Sequence, residues 1–281
     1  MTGDITAGID DAKVASWFSS HVPASVPPLE YELIAGGHSN LTYKVVDRRG
    51  NNFVLRRPPL GHVLATAHDM AREHRIVSAV GTTQVPVPPT LGVCEDSEIN
   101  GAPFYVMGYV DGEVLHSDAE AETLGESDRM TLSRRVAEVL AELHSIEPDD
   151  IGLGDLGKRE DYLGRQLRRW SRQWDQSKTR ELPTMEHVKG LLEAQKPTQV
   201  GSTIVHGDYR LGNMLTRFGE ILAVLDWELC TLGDPLADVG YLMNNWVAPD
   251  EAPAGSSAPT LAGGFAARDE LLMWYANASG R

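Results

Sequence analysis

The 281-residue chain carries 25 Lys and Arg against 40 Asp and Glu, a formal net charge of −15, with 42% hydrophobic and 23% charged residues. That composition supports a sizeable core in one large domain or two lobes, and it excludes a chain disordered throughout. The acid excess argues against coating nucleic acid or anionic membrane, because such binding rests on Lys and Arg neutralising phosphates.

The first twenty residues hold several acids and lack the apolar centre of a signal peptide, and no run of eighteen apolar residues occurs. A cytoplasmic location is therefore expected. Cys94 and Cys230 lie in neither a C-x-x-C nor a Cys/His metal spacing, so no disulfide framework or zinc site is expected, a reducing compartment fits, and Cys230 reads as packing. After this acidic, helical N-terminus, Val22 to Pro28 is a proline-punctuated linker.

Short strands follow. Tyr31 to Ile34 and Leu41 to Val46 flank the loop Ala35-Gly36-Gly37-His38-Ser39-Asn40, and the turn Asp47 to Asn52 leads to a third strand, Phe53 to Arg56, ended by Pro58 and Pro59. Residues 66–80 suit a helix. Strands near 90–95 and 103–109 then read as a hairpin joined across Asn100-Gly101. From about residue 127 the period becomes helical: Ser127 suits an N-cap, and Leu132, Val136, Val139, Leu140 and Leu143 mark one apolar face. Further helices are expected at 160–175 and 184–194. Within this helical half sits a small β insert, Thr203 to Val205, Met214 to Thr216 and Ile221 to Leu225. A Pro/Ala/Gly/Ser loop at 248–264 and a short helix near 267–276 complete the chain.

Gly152-Leu153-Gly154-Asp155-Leu156-Gly157 matches G-x-G-x-x-G, and Lys158 nearly completes a G-x-x-x-x-G-K phosphate loop. Such glycines bind phosphate only where they leave a strand and open a helix. The preceding Ser145 to Ile151 reads as a helix exit, so the segment is expected to be a plain loop. His62, His68 and His74, six apart, do not share a helix face and read as surface or cap residues.

The informative segment is His206-Gly207-Asp208-Tyr209-Arg210-Leu211-Gly212-Asn213, followed after the expected hairpin by Asp226-Trp227-Glu228. If the strands at 214–216 and 221–225 pair, Asn213 and Asp226 leave the hairpin at one end. One amide oxygen and one carboxylate are hard ligands of the kind Mg²⁺ takes beside nucleotide phosphates. Asp208 stands on the same loop. A carboxylate to take an acceptor hydroxyl's proton, with metal to neutralise phosphoryl charge, is what phosphoryl transfer needs.

These residues, with Leu225-Asp226-Trp227-Glu228, resemble the catalytic and metal loops of the aminoglycoside phosphotransferase family, and their wording is most similar to the branch fused to acyl-CoA dehydrogenases. The resemblance continues upstream, over roughly residues 30 to 245. Ile34 to Asn40 resembles the nucleotide loop, Phe53 to Pro58 the third strand, Arg72-Glu73-His74 the αC helix, and Phe104 to Val110 the hinge. The segment Gly233 to Asp238 resembles the stretch after the metal aspartate, where Asp238 is expected to brace the catalytic loop. The implied fold is α+β: a two-lobed protein-kinase-like fold with a β-rich, nucleotide-binding N-lobe, residues 1–110. A mainly helical C-lobe, residues 111–281, carries the catalytic loops on its β insert and binds the acceptor.

The resemblance implies ATP and Mg²⁺ as cofactors and a small-molecule hydroxyl acceptor as partner. Asp208 would be the base, and Asn213 and Asp226 the metal ligands. Gly36, Gly37, Ser39 and Asn40 would cover the phosphates, Arg56 with Glu73 would position them, and Met107, Tyr109 and Val110 would hold adenine. Two plainer readings stand beside these: Gly36-Gly37 as a hairpin turn, and Met107 with Tyr109 as strand core. Arg56 departs from the lysine usual on the third strand, keeping the charge on a broader planar donor set. Family members usually run several dozen residues past the equivalent of Arg281, so an incomplete acceptor wall is expected.

Eight of the 25 basic residues fall between Lys158 and Arg180, with Arg165, Arg168, Arg169 and Arg172 on one helical face and Trp170 and Trp174 on another. A solvated helix with its tryptophans in the core is the plain account. An anionic acceptor is the other; it disfavours a polycationic aminoglycoside and agrees with the acyl-CoA dehydrogenase-associated branch, whose implied acceptor is a hydroxylated acyl-CoA. The expected function is a Mg-ATP-dependent small-molecule kinase, a phosphotransferase with an alcohol group as acceptor. Its rival is a non-catalytic nucleotide-binding or regulatory module of the same fold.

Overall fold

A computed structural model of the chain describes residues 6–36, 40–61, 69–248, 250–253 and 255–281. Its contacts divide it into two compact units. The first comprises Met1–Val114 with Met214–Arg217 and Ile221–Glu228, and the second comprises Leu115–Asn213, Phe218–Glu220 and Leu229–Arg281.

In the first unit α1 (Asp11–His21) starts where the Asp10 carboxylate accepts the Lys13 N–H. Strands β1 (Leu29–Ala35), β2 (Leu41–Asp47) and β3 (Asn52–Arg57) follow as expected from their apolar runs. Helix α2 (Met70–Val80) is capped by Asp69, whose side chain accepts the Arg72 N–H at 2.9 Å. The part of the expected helix at 66–68 lies outside the described residues. Strand β4 (Thr90–Cys94), the short α3 (Ser97–Asn100) and β5 (Phe104–Gly108) complete an antiparallel sheet of order β1-β2-β3-β5-β4.

The hairpin expected at 90–109 is therefore present, but its connection is a helical turn. Asp96 caps that turn and Gly101, at φ 70, ends it, so Asn100-Gly101 is a helix exit rather than a two-residue hairpin turn. Alternation along the strands gives the sheet two faces. Tyr43, Val45, Phe53, Leu55, Phe104 and Val106 pack with Val14 and Phe18 of α1. Val54, Tyr105 and Met107 pack with Met70 of α2. The period of two thereby puts Arg56 on the same face as Val54, toward α2.

The second unit is helical. Its elements begin with α4 (Asp118–Ala121) and α5 (Glu126–Ser145), which buries Leu132, Val136, Val139, Leu140 and Leu143 as its periodicity predicts. Ser127 is not the cap: Gly125 holds that position without a side-chain bond, and the helix starts earlier because Glu126 and Asp128 suit the positive end of its dipole. Helices α6 (Tyr162–Ser177) and α7 (Pro183–Ala194) pack on one another. No α7 residue is buried and Trp170 is 53% exposed, so α6 is solvated but its tryptophans do not form a core.

The β insert is two separate pairs. Strand β6 (Thr203–Val205) pairs with β9 (Thr231–Gly233), a strand not anticipated, and β7 (Met214–Arg217) pairs with β8 (Glu220–Val224). The β7–β8 hairpin is tied into the first unit, where Thr216 exchanges backbone hydrogen bonds with Glu113 and the Val224 N–H donates to the Pro86 carbonyl at 2.8 Å. Helix α8 (Pro235–Asn245) is capped by Asp234, and α9 (Arg268–Ser279) packs along α5. The glycine segment 152–157 follows the exit of α5 and is followed by α6, and Gly157 lies against Thr231, where a Cβ would sit 2.6 Å from the hydroxyl. It is a loop between two helices, as its context indicates. Cys94 and Cys230 are both buried thiols.

Candidate active site

Two clusters carry the residues singled out above, one in each unit. In the first unit the β3 residue Arg56 donates from Nη2 to Asp226 Oδ1 at 2.5 Å and from Nε to Glu73, with the Thr42 hydroxyl accepting from Nη1. Glu73, on the inward face of α2, is 3% exposed and takes a further hydrogen bond from the buried Tyr105 hydroxyl. The planar guanidinium is what permits this: a fork of donors spans two carboxylates at once, which a single ammonium does less well. Replacing Arg56 with Lys is therefore expected to lower stability by about 1.5–3 kcal/mol, one charged hydrogen bond, read by urea unfolding. Unchanged stability would show that one of the two contacts contributes nothing.

The electrostatics of this cluster favour a cation. Burial alone would lower the Arg56 pKa, but Glu73, Asp226 and Glu228 around it raise it, so the guanidinium stays charged. Burial raises the Glu73 pKa, with Asp226 adding to the rise and Arg56 and Tyr105 opposing it. Asp226 itself has φ 65, a left-handed backbone that aspartate tolerates better than most residues and that recurs at functional sites. Asn40, 1% exposed at the end of the 35–40 loop, donates weakly to Glu228 Oε2 at 3.5 Å, and its own Oδ1 is buried without a partner among the described residues. Gly36 is exposed at the start of that loop, whereas Gly37 and Ser39, with His38, lie outside the described residues.

Of the expected hinge residues, Met107 is 7% exposed and packs in the core beside Val54 and Met70. Tyr109 and Val110 are half-buried, and the Lys44 ammonium lies 4.8 Å from the Tyr109 ring centroid. Tyr105, two residues before Met107 and on the same face, was not anticipated. An aromatic on a strand reads as core, and only its distant partner Glu73 gives the hydroxyl a task.

In the second unit the 206–213 loop is held from below and fixed from within. Asp238, 1% exposed on α8, accepts the backbone N–H groups of His206 at 2.7 Å and Gly207 at 2.8 Å, and lies 3.3 Å from His144 Nε2. Gly207 is required where it stands: φ is 87, and a Cβ would lie 3.0 Å from the Leu229 carbonyl oxygen. Asp208 follows immediately. Its Oδ2 accepts Asn213 Nδ2 at 2.7 Å, and its backbone carbonyl accepts the same amide at 2.9 Å. Its Oδ1 accepts Arg210 Nε at 3.2 Å and the Tyr241 hydroxyl.

The structure thus brings Arg56, Glu73 and Asp226 together in one unit and Asp208 with Asn213 in the other. An amide oxygen and a carboxylate are each hard oxygen donors of the kind magnesium takes. Asn213 commits its amide nitrogen to Asp208, which turns its oxygen elsewhere, and Asp226 belongs to a group of three carboxylates around Arg56. Among the described residues no three His, Cys, Asp or Glu side chains form a metal cage.

The basic segment is partly spent on local contacts. Arg159 pairs with Glu147 and Asp149, Arg165 donates to the carbonyls of Lys158 and Leu232, and Arg168 pairs with Asp161 at 2.9 Å. Arg169 lies over the exposed Trp170 ring, and Arg172 is exposed.

Comparison with known proteins bears on these clusters. Residues 30–274 match the family described as "Phosphotransferase enzyme family". The mouse protein "Acyl-CoA dehydrogenase family member 10" is 40% identical over 233 residues, covering 82% of this chain and 21% of that protein. The Arabidopsis thaliana "Probable acyl-CoA dehydrogenase IBR3" is 30% identical over 308 residues, covering 100% of this chain and 37% of that protein. The chain thus spans between a fifth and two fifths of these relatives. A crystal structure from Ralstonia eutropha, assigned to the aminoglycoside phosphotransferases, superposes with a TM-score of 0.79 at 33% identity, covering 97% of this chain and 81% of that one. The streptomycin–ATP complex of APH(2'')-IIa, at 19% identity and a TM-score of 0.61 over 96% of this chain and 82% of that one, shares the fold. The architecture is accordingly the two-lobed, protein-kinase-like α+β fold expected from the sequence.

Proposed function

Because this chain belongs to the phosphotransferase enzyme family, we propose that it transfers the γ-phosphoryl group of MgATP to a hydroxyl of a small acceptor, a hydroxylated acyl-CoA. The observation that carries the reading is the Asp208–Asn213 pair, a carboxylate fixed by an amide five residues on, which orients both groups for different tasks. Asp208 accepts the acceptor hydroxyl's proton or orients that hydroxyl. Asn213 and Asp226 present oxygens to magnesium. Gly36, Gly37, Ser39 and Asn40 cover the phosphates, Arg56 braced by Glu73 positions them, and the Met107–Val110 segment, with Tyr109, holds adenine. Magnesium, when bound, neutralises charge on the transferred phosphoryl group and the leaving oxygen. ATP is supported by related folds solved with ATP or ADP bound.

The acceptor class rests on the names of the curated relatives, acyl-CoA dehydrogenases of which this chain matches a part, and on the exposed Arg169, Trp170 and Arg172 of α6. Guanidinium groups suit the phosphates of a coenzyme A moiety, and an exposed indole suits its base. The test is ADP release from MgATP with a hydroxyacyl-CoA, the unhydroxylated acyl-CoA and an aminoglycoside. Release with the hydroxyacyl-CoA alone, abolished by EDTA, is expected. Release with the aminoglycoside alone overturns the acceptor, and nucleotide binding without release under any condition replaces the enzyme with a non-catalytic module.

A further inference from the structure

Tyr241 stands three residues after Asp238 on α8, so the two side chains share one helix face. Asp238 reaches the start of the 206–213 loop, and Tyr241 reaches the next residue, donating its phenolic hydrogen to Asp208 Oδ1 at 2.5 Å. The other carboxylate oxygen of Asp208 is taken by Asn213. Oδ1 also accepts Arg210 Nε at 3.2 Å, so with Asn213 fixed on Oδ2 and Arg210 and Tyr241 on Oδ1, the partly exposed Tyr241 hydroxyl is the neutral donor that an acceptor hydroxyl replaces to reach the carboxylate. At 38% exposed, the Tyr241 ring borders solvent, so an incoming molecule can reach it and the ring can turn aside.

We infer that Tyr241 holds the acceptor position on Asp208 against water and yields it to the acceptor's hydroxyl, and so determines the preference for an alcohol over water. This rests on the assignment of Asp208 proposed above. In the reaction that Tyr241 suppresses, a water O–H gives its proton to Asp208. The water oxygen bonds to the γ-phosphorus, the bond from that phosphorus to the bridging oxygen breaks, and ADP departs with phosphate as the other product. An alcohol acceptor follows the same course with its own oxygen. Water is small and abundant, so an unguarded base beside bound MgATP hydrolyses it without purpose. Burial, with the hydrogen bond to and charge of Asp208, raises the Tyr241 pKa, which keeps the phenol a neutral donor.

The test is phosphate release from MgATP without acceptor, in the unmodified protein, Tyr241→Phe, and Tyr241→Phe combined with Asp208→Asn. Tyr241→Phe removes one hydroxyl from a partly exposed ring, and its release is expected to rise about tenfold, the scale of one hydrogen bond lost from the competing state. The added Asp208→Asn should return it to background. A gain of this kind does not arise from structural damage. Unchanged or slower release in Tyr241→Phe, with an intact MgATP-induced rise in Tm, overturns the role of Tyr241 and leaves the phosphotransferase reading standing. Absence of that rise in every form, unmodified protein included, overturns both.

Discussion

Asp208→Asn is expected to lower turnover by about 10²- to 10⁴-fold, the contribution of a positioned acid or base, while MgATP binding persists. The geometry gives both halves of this result. Asp208 has one oxygen held by Asn213 and one facing Arg210 and Tyr241, and an amide in its place no longer takes a proton from the acceptor. Binding is expected to persist because the backbone carbonyl of residue 208 still accepts Asn213 Nδ2, as it does at 2.9 Å in the present structure, and so keeps in place the amide proposed to hold magnesium. Single-turnover phosphoryl transfer and the MgATP-induced change in Tm measure the two halves separately. Unchanged turnover removes Asp208 from the chemistry.

Asp238→Ala should be the most destabilising single change at the site. Asp238 is buried and accepts two consecutive N–H groups of the 206–213 loop, with His144 beside it, and His144 is in turn 2.9 Å from the Tyr275 hydroxyl of α9. Alanine withdraws the acceptor from both N–H groups and from His144 in a dry interior, which costs about 3–5 kcal/mol, on the order of a 10 °C fall in Tm. Asp238→Asn keeps one acceptor oxygen and should fall between the two. A Tm for Asp238→Ala within about 2 °C of the unmodified protein, against the 2–4 °C that 1 kcal/mol brings at this size, would show that the loop is held by something else.

The strands and the long helix were legible because their signals are local. Leu41 to Val46 and Leu132 to Leu143 show their periods within a few residues, and each lies where the period places it. Features decided by distant partners were not legible. Strand β9 is three residues long and exists because β6 is there to pair with it. The α3 turn replaced an expected two-residue hairpin because Asp96 caps a helix before Asn100-Gly101 is reached. Trp170 read as core from its spacing, yet the partner of α6 on that side is α7, which itself buries no residue.

The site divides in the same way. Asp208, Asn213 and Asp226 could be singled out because each is next to a strand end or inside a short motif. Tyr105 and Tyr241 were missed because a tyrosine on a strand or helix face looks like packing, and their hydroxyls find carboxylates 32 and 33 residues away. The i, i+3 relation of Tyr241 to Asp238 was the one signal available, and it acquires meaning only once α8 is known to face the 206–213 loop. The Arg56 fork shows the converse. Its departure from lysine was visible in the sequence, and the structure supplies the reason, two carboxylates on one guanidinium.

The most direct measurement of the central claim is thermal stability with MgATP, with ATP in EDTA, and with MgATP in Asp226→Ala, because a ligand that binds only the folded state raises stability by mass action. At a concentration one hundred times its Kd the gain is about 2.7 kcal/mol. A rise in Tm that needs magnesium and disappears in Asp226→Ala is the predicted result. No rise with any nucleotide, or a rise that survives both EDTA and the substitution, would contradict a magnesium-nucleotide site built on Asp226.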